Sequence, residues 1–369
     1  MGEIKRVLCI TSNMNTGGAE TFLMKMLRNI DREKYIMDFC VSSKEEDYYA
    51  NEIAELGGKI YKIHAKTENI FLYIKDLYSI IKKNKYKNVL RITSNCFGTL
   101  DLWIALIAGA KRRIVRSSNS SDGKSGMLLY AHKVFREILN SVANVKIAPS
   151  DLAAKYSFGE KSVKKNKVIY LNNGVDTKVY KYTDEKRNEI RKELEIEDKF
   201  VLAHVGRFMT QKNHKFLFDI FSELTKLKEN SVLLLVGKGE LEEELKKQAR
   251  ELGIYDKIKF LGVRSDVYAI LSAADFMIFP SLYEGMPNVV IESQAAGLKS
   301  LISDTITREA KITDLTTYMP LSASKEEWAK KAVELSEKKI KNREDYIEDL
   351  KEKGYDILTS VNLFTSFII

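Results

Sequence analysis

The sequence predicts two α/β domains, each built on a parallel sheet, on three observations. The first is length: 369 residues exceed what one core fills, since single cores stop growing near about 250 to 300 residues. The second is rhythm: short apolar runs alternate with amphipathic stretches for most of the chain, the pattern of β-α-β units. The third is a break, where the turn-forming run Asn172-Asn173-Gly174-Val175-Asp176 interrupts the cycle before it restarts.

In the first half, strands are expected over Arg6 to Thr11, Ile36 to Val41, Lys59 to Ile63, Asn88 to Ile92, Arg113 to Ser117, Val145 to Pro149 and Lys167 to Leu171. Helical patterns lie between them, as in Ala19 to Asn29 and Ile70 to Lys83. After the break, strands are expected over Phe200 to Val205, Val232 to Val236, Lys257 to Leu261 and Phe276 to Phe279, with helices from His214 and Glu240. Lys325 to Leu358 reads as one charged amphipathic helix, with Trp328, Ala332 and Leu335 as its apolar stripe.

Composition narrows the class. With 44% hydrophobic and 30% charged residues, the chain falls among well-packed globular proteins rather than disordered or fibrous ones. Its longest strongly apolar stretch, Leu102 to Ala110, has about nine residues, against the roughly 20 of a spanning helix. The start of the sequence has no secretory signal pattern, so a cytoplasmic location is expected. Cys9, Cys40 and Cys96 each sit in an apolar run and read as buried thiols rather than a disulfide or zinc framework.

Charge is unevenly placed. Residues 1–180 carry 30 Lys and Arg against 18 Asp and Glu, a net +12, whereas residues 181–369 carry 30 against 33, a net −3. A basic half suits an anionic partner. No nucleic-acid module is recognisable, which favours peripheral contact with an anionic membrane through Lys82, Lys83, Lys85, Lys111, Arg112 and Arg113. A solvated basic face is the alternative.

Three loops carry candidate chemistry. The first strand runs into Gly17-Gly18-Ala19-Glu20, where paired glycines and a helix N-terminus suit an anion, or simply make a strand-to-helix turn. It matches neither a Walker loop nor a dinucleotide fingerprint. Strand Phe200 to Val205 leads into Gly206-Arg207 and on to Lys212, two cations suited to a diphosphate, or else surface charge. Gly237-Lys238-Gly239 reads as a tight turn that lets a ligand approach.

The strongest local signal runs from Ser281 to Glu292. Pro287 suits the first turn of a helix, so amides around Met286 to Val289 would face a ligand. Glu284 precedes that helix and Glu292 lies more than one turn inside it, which separates their tasks: one carboxylate for sugar hydroxyls, the other for ribose hydroxyls. A first-turn acid and a solvated one would be the plain alternative.

Taken in this order, the pieces resemble the retaining glycosyltransferases of family 4, glycosyl transferases group 1, in the bacterial branch that builds capsules and exopolysaccharides. The likeness covers nearly the whole chain. It rests on Gly17 to Glu20, Asn173 to Asp176, Gly206-Arg207 through Lys212, Phe260 to Val267, Ser303 to Thr307, and Glu284 and Glu292 with seven residues between them.

The resemblance implies the GT-B architecture: two Rossmann-like domains facing across a cleft, with a C-terminal helix returning to the first. The domains would be 1–175 on the acceptor side and 176–345 for the nucleotide sugar, with 346–369 as the returning helix. It further implies that Arg207 and Lys212 hold the donor diphosphate and that Glu292 holds the ribose. Glu284 with the amides of Gly285 to Asn288 would face the donor sugar and phosphates, and Gly285, Met286, Pro287, Asn288 and Val289 would bind the donor. Gly17 and Gly18 would close over the diphosphate, Gly237 would line the donor, and the backbone at Val263 and Arg264 would frame the base.

One position departs from the pattern. Many relatives carry Ser-His-Asn after the fifth strand, and here Ser118 stands at the histidine position with Asn119 beside it. Both remain candidates for donor-sugar or acceptor contact. No Asp-x-Asp pair occurs, so no metal and no cofactor are expected. The expected reaction moves a hexose or N-acetylhexosamine, with a UDP-sugar favoured as donor, to a saccharide or lipid-linked saccharide. The competing readings are a non-catalytic nucleotide-sugar-binding subunit and a nucleotide-sugar epimerase of the same layout.

Overall fold

The computed structural model describes residues 4–15, 17–93, 98–118 and 127–369. They form two compact units: Met1–Gly174 with Ile357–Ile369, and Val175–Asp356.

The first unit runs β1 (Lys5–Ile10), α1 (Gly18–Asn29), β2 (Tyr35–Val41), α2 (Ala50–Glu55), β3 (Ile60–Lys62), α3 (Ile70–Lys83), β4 (Asn88–Thr93), α4 (Thr99–Ala108), β5 (Arg112–Ser117), α5 (Met127–Val142), β6 (Val145–Ala148), α6 (Asp151–Phe158), α7 (Glu160–Lys164) and β7 (Ile169–Tyr170). Its seven strands lie in the order β3-β2-β1-β4-β5-β6-β7, all neighbours parallel. The order reverses between β1 and β4, and in such sheets ligands gather at the carboxyl ends beside this switch point.

Local chemistry sets the helix ends. Asn69 caps α3 by accepting from the amides of Phe71 and Leu72, and α4 stops at Gly109, whose φ of +96° suits a residue without a Cβ. α3, α4 and α5 pack side by side over one face of the sheet, burying Tyr73, Leu77, Ile104 and Leu139. Cys9 and Cys40 are buried thiols, and burial pushes Cys40 up to about 12. Cys96 lies outside the described residues.

The second unit runs α8 (Thr177–Tyr180), α9 (Asp184–Glu193), β8 (Phe200–Val205), α10 (His214–Leu227), β9 (Ser231–Val236), α11 (Glu242–Glu251), β10 (Ile258–Phe260), α12 (Val267–Ala273), β11 (Phe276–Phe279), α13 (Asn288–Ala295), β12 (Ser300–Ser303), β13 (Thr316–Met319), α14 (Lys325–Glu337) and α15 (Tyr346–Glu352). The sheet order is β10-β9-β8-β11-β12-β13, again parallel throughout, with its reversal between β8 and β11. β12 and β13 are strands that the sequence pattern alone does not announce. Each has four residues and a Ser or Thr in place of the usual apolar run.

The tail departs from the single helix expected. α14 begins at a capping box, in which Ser324 accepts from the Glu327 amide and Glu327 reaches back, and it ends at Glu337. α15 packs on α13 and so belongs to the second unit. The return to the first unit therefore comes at Ile357, not at residue 346. There α16 (Ile357–Thr365) lies on α1 and buries Val361 and Phe364 beside Phe22 and Leu23.

The two crossings run together. Within the second unit Val175 bridges Asp356 in parallel, and within the first a Cβ on Gly174 would stand 2.7 Å from the Ile357 Cα. Only glycine fits that approach.

Candidate active site

In the second unit, β8 delivers Gly206 and Arg207 at its carboxyl end. A single 3₁₀ turn, Thr210–Lys212, follows and closes at Asn213, whose φ of +55° is left-handed, a region asparagine tolerates. The Asn213 side chain donates to the Pro280 carbonyl at 3.1 Å, Gln211 donates to Tyr283 O at 2.8 Å, and the Leu282 amide donates to Gln211 O at 2.8 Å. Residues 211–213 are thereby stitched to the loop that follows β11. Ser303 and Thr305 brace the same loop by donating to Ser281 O at 2.5 and 3.0 Å.

This stitching brings Lys212 and Glu284 together. The ammonium donates to Glu284 Oε1 at 2.6 Å, with side-chain exposures of 17% and 11%. It also stands 4.8 Å from the Phe279 ring centroid. Gly206 lets the lysine stem pass, since a Cβ there would lie 3.1 Å from two of its methylenes. Arg207 is exposed, and its guanidinium has no side-chain hydrogen bond or ion pair among the described residues.

Beneath Lys212 lies a buried aromatic group that the sequence pattern does not single out. His204 on β8 stacks on Phe279 at 5.3 Å and meets His214 edge-on at 4.7 Å, and His214 in turn packs on Phe208. His204 Nδ1 donates to the Ile278 carbonyl at 2.9 Å, which fixes the neutral tautomer with Nε2 bare. Neither nitrogen of His214 has a partner among the described residues. Burial holds His204 down at about 4 and His214 lower still. Both rings are neutral packing groups that add no charge next to the lysine.

The remaining candidates in this unit lie on the loop after β11, on α13 and on the loop after β10. Pro287 stands at the N-cap of α13, one residue before the first turn where the sequence places it, and its own side chain has nothing with which to cap the helix. Gly285, Met286 and Val289 are buried and Asn288 is half-buried around that helix start. Glu292 is the fifth residue of α13 and 5% exposed. Val263 is exposed, while the Arg264 side chain is taken up by Asp266 at 2.6 Å and Glu193 at 2.8 Å. Only its backbone is left to frame a base.

Gly237 has a different reason from the one its sequence suggests. A Cβ there would lie 2.2 Å from Gly206 O, its φ is +141°, and its amide donates to Gly262 O at 2.7 Å. Gly239 is similar, 2.3 Å from Phe208 O. These glycines let three strand-end loops close on one another. Lys238 between them is exposed, a third cation at the strand ends beside Arg207 and Lys212.

In the first unit, Gly17 is the N-cap of α1, and the Glu20 carboxylate folds back to within 2.3 Å of where its Cβ would be. Gly18 is exposed and a Cβ there meets nothing within 4 Å. Ser118 follows β5, half-buried, its amide donating to Thr93 O at 3.0 Å. Asn119 lies outside the described residues. Elsewhere in the unit, His64 pairs with Asp76 at 2.7 Å, and His132 stacks on Tyr156.

Solved structures share this fold. The structure of Anabaena HepE in complex with UDP-glucose matches with a TM-score of 0.80 at 16% identity, covering 98% of each chain. WaaG, a glycosyltransferase involved in lipopolysaccharide biosynthesis, matches at 0.73 and 15%, covering 98% of this chain and 99% of that one. The class is therefore the GT-B fold of glycosyltransferases. Residues 185–353 match the family model described as glycosyl transferases group 1, and the whole chain aligns with the putative glycosyltransferase EpsF of Bacillus subtilis, 30% identical over 97% of this chain and 94% of that one. The chain belongs to the glycosyl transferases group 1 family. A Campylobacter jejuni relative named as an N-acetylgalactosaminyltransferase acting on a diphospho-undecaprenol-linked sugar is 26% identical over 79% of each chain.

Proposed function

We propose that the protein transfers a hexose or N-acetylhexosamine from a UDP-sugar to a saccharide or lipid-linked saccharide acceptor, with retention at the anomeric carbon, in surface polysaccharide synthesis. The observation that carries this reading is the Lys212–Glu284 pair, set beside the exposed Arg207 and the start of α13 at Pro287. The relatives named for capsule synthesis in Staphylococcus aureus and for lipid-linked acceptors support the substrate class.

In this reading the bond from the anomeric carbon to the β-phosphate oxygen breaks, and its electron pair leaves with UDP. The acceptor oxygen bonds to the same face of the carbon, and its proton passes to the departing phosphate. Arg207, Lys212 and the α13 amides offset the charge that grows on the leaving group, the term that dominates such transfers. Glu284 would steady the sugar and Glu292 the ribose. Gly17 and Gly18 would meet the diphosphate through backbone amides, and no metal or cofactor takes part.

The test is transfer itself. The anomeric proton of the product, followed by NMR during turnover, should show the donor's configuration. Activity should persist in excess chelator. An inverted product, or activity lost on chelation and restored by magnesium or manganese, overturns the mechanism. Binding of UDP-sugar without transfer to any saccharide acceptor would favour the non-catalytic subunit instead.

A further inference from the structure

We propose that the outward face of α3, α4 and α5 in the first unit docks on an anionic lipid surface by inserting aromatic side chains at the headgroup level. It rests on the reading above only in that a lipid-linked acceptor waits at such a surface.

The three helices lie side by side, and many of their described outward positions are apolar where a solvated helix would be polar, with Lys75, Lys133 and Glu137 exposed among them. Phe71 is 80% exposed and Tyr78 36% on α3, Trp103 42% and Ile107 67% on α4, and Tyr130 70% and Phe135 40% on α5. Scattered exposed apolar residues are ordinary, but contiguous ones over three packed helices mark a contact surface. Trp and Tyr are the side chains that favour a membrane interface, having an apolar body and a polar tip.

Charge complementarity selects lipid as the occupant. Between residues 70 and 142 the chain carries thirteen Lys and Arg against four Asp and Glu. Each helix runs back along the strand before it, so their last turns meet at the edge where the strands begin. Lys82, Lys83, Lys85 and Lys111 are exposed there, and the amides of Lys111 and Arg112 donate to Lys87 O. Arg113 does not join them, because its guanidinium donates to the carbonyls of Val142 at 2.8 Å and Ala110 at 2.9 Å. A second copy of the chain on this face would set like charges against like, which opposes self-pairing. An anionic bilayer meets both the rim and the apolar face.

The chain supplies its own probe. Its two tryptophans are Trp103 and Trp328, and Trp328 is fully buried in the second unit. A lipid-dependent change in emission therefore reports Trp103. The whole protein is titrated with phosphatidylcholine vesicles with and without phosphatidylglycerol, some with brominated acyl chains. The expected result is a shift to shorter wavelength and quenching by the brominated chains, with phosphatidylglycerol present. Phe71→Glu combined with Ile107→Glu should lower the partition by about tenfold or more, since two inserted side chains are replaced by charges. Unchanged Trp103 emission when the vesicles sediment the protein overturns the proposal. So does the same shift without lipid as protein concentration rises, which would mean self-association. UDP binding on the same samples belongs to the transferase reading: its absence sinks that reading, whereas vesicle results alone decide this one.

Discussion

Lys212 Nζ rests 2.6 Å from Glu284 Oε1, so the cation proposed for the donor diphosphate is neutralised by a carboxylate proposed for the donor sugar. The two come from different strand ends and are brought together by the stitching of residues 211–213 to the loop after β11. A bound diphosphate would offer Lys212 a second anion. Removing Glu284 leaves a largely buried ammonium unpaired, a loss of about 3 kcal/mol for such pairs. Glu284→Ala should therefore melt at lower temperature and gain more from added UDP than the native protein does. It should also lower kcat by about 10²- to 10³-fold, as loss of one electrostatic stabiliser does. Thermal scans with and without UDP, beside kcat, check this; equal UDP shifts in both proteins would show that the lysine does not meet the diphosphate.

Glu292 calls for a different signature. If it holds the ribose equally in ground and transition states, Glu292→Ala raises donor KM and leaves kcat near native. The residue is buried, so the melting temperature is read alongside. A folded variant with native donor KM removes the ribose assignment.

Two glycines separate fold from ligand. Gly237→Ala places a Cβ 2.2 Å from a backbone oxygen at a φ of +141°. The cost is about 2 kcal/mol or more, a fall in melting temperature of roughly 4–8 °C. Gly18→Ala meets open space in the first turn of α1 and should hold or raise stability by about 0.4–1 kcal/mol. It should nonetheless raise donor KM if the backbone there approaches the diphosphate. A native KM in that variant would reduce the loop to a strand-to-helix turn.

The buried histidines predict acid sensitivity. His204 titrates near 4 in the folded protein against an ordinary 6.5, so below 6.5 the unfolded chain takes up protons that the native one does not. Stability is therefore full above pH 6.5 and falls as pH drops towards 4, by about 2 kcal/mol at pH 5 from His204 alone. His214 extends the loss to lower pH. Urea midpoints from pH 7 to pH 5 check the slope, and a flat profile would show that the pair is not sealed from water.

Much of this was legible in the sequence because apolar rhythm and parallel sheets leave a strong imprint. β8 and β11 fall where their apolar runs begin and end, and α3 spans its full pattern. β12 and β13 were hidden because four residues with polar members carry too short a period. The tail misled because charged residues continue past Glu337 without the apolar spacing that keeps a helix packed. At the site, motif residues could be listed but not their partners. That Arg264 is consumed by Glu193, 71 positions away, and that Gly237 serves a loop-to-loop contact, are facts of tertiary approach.

The late return of the chain at Ile357 bears on synthesis. The core of the first unit needs Val361, Phe364 and Ile368, and Ile369 accepts a bond from, and donates one to, Asn88. Those residues leave the ribosome only after all of Val175–Asp356 has emerged. The part that is translated first is thus completed last, and the side of α1 that α16 covers stays open while the second unit can already fold. Chaperones that shield nascent chains should engage the segment around Phe22 to Leu27 throughout that interval.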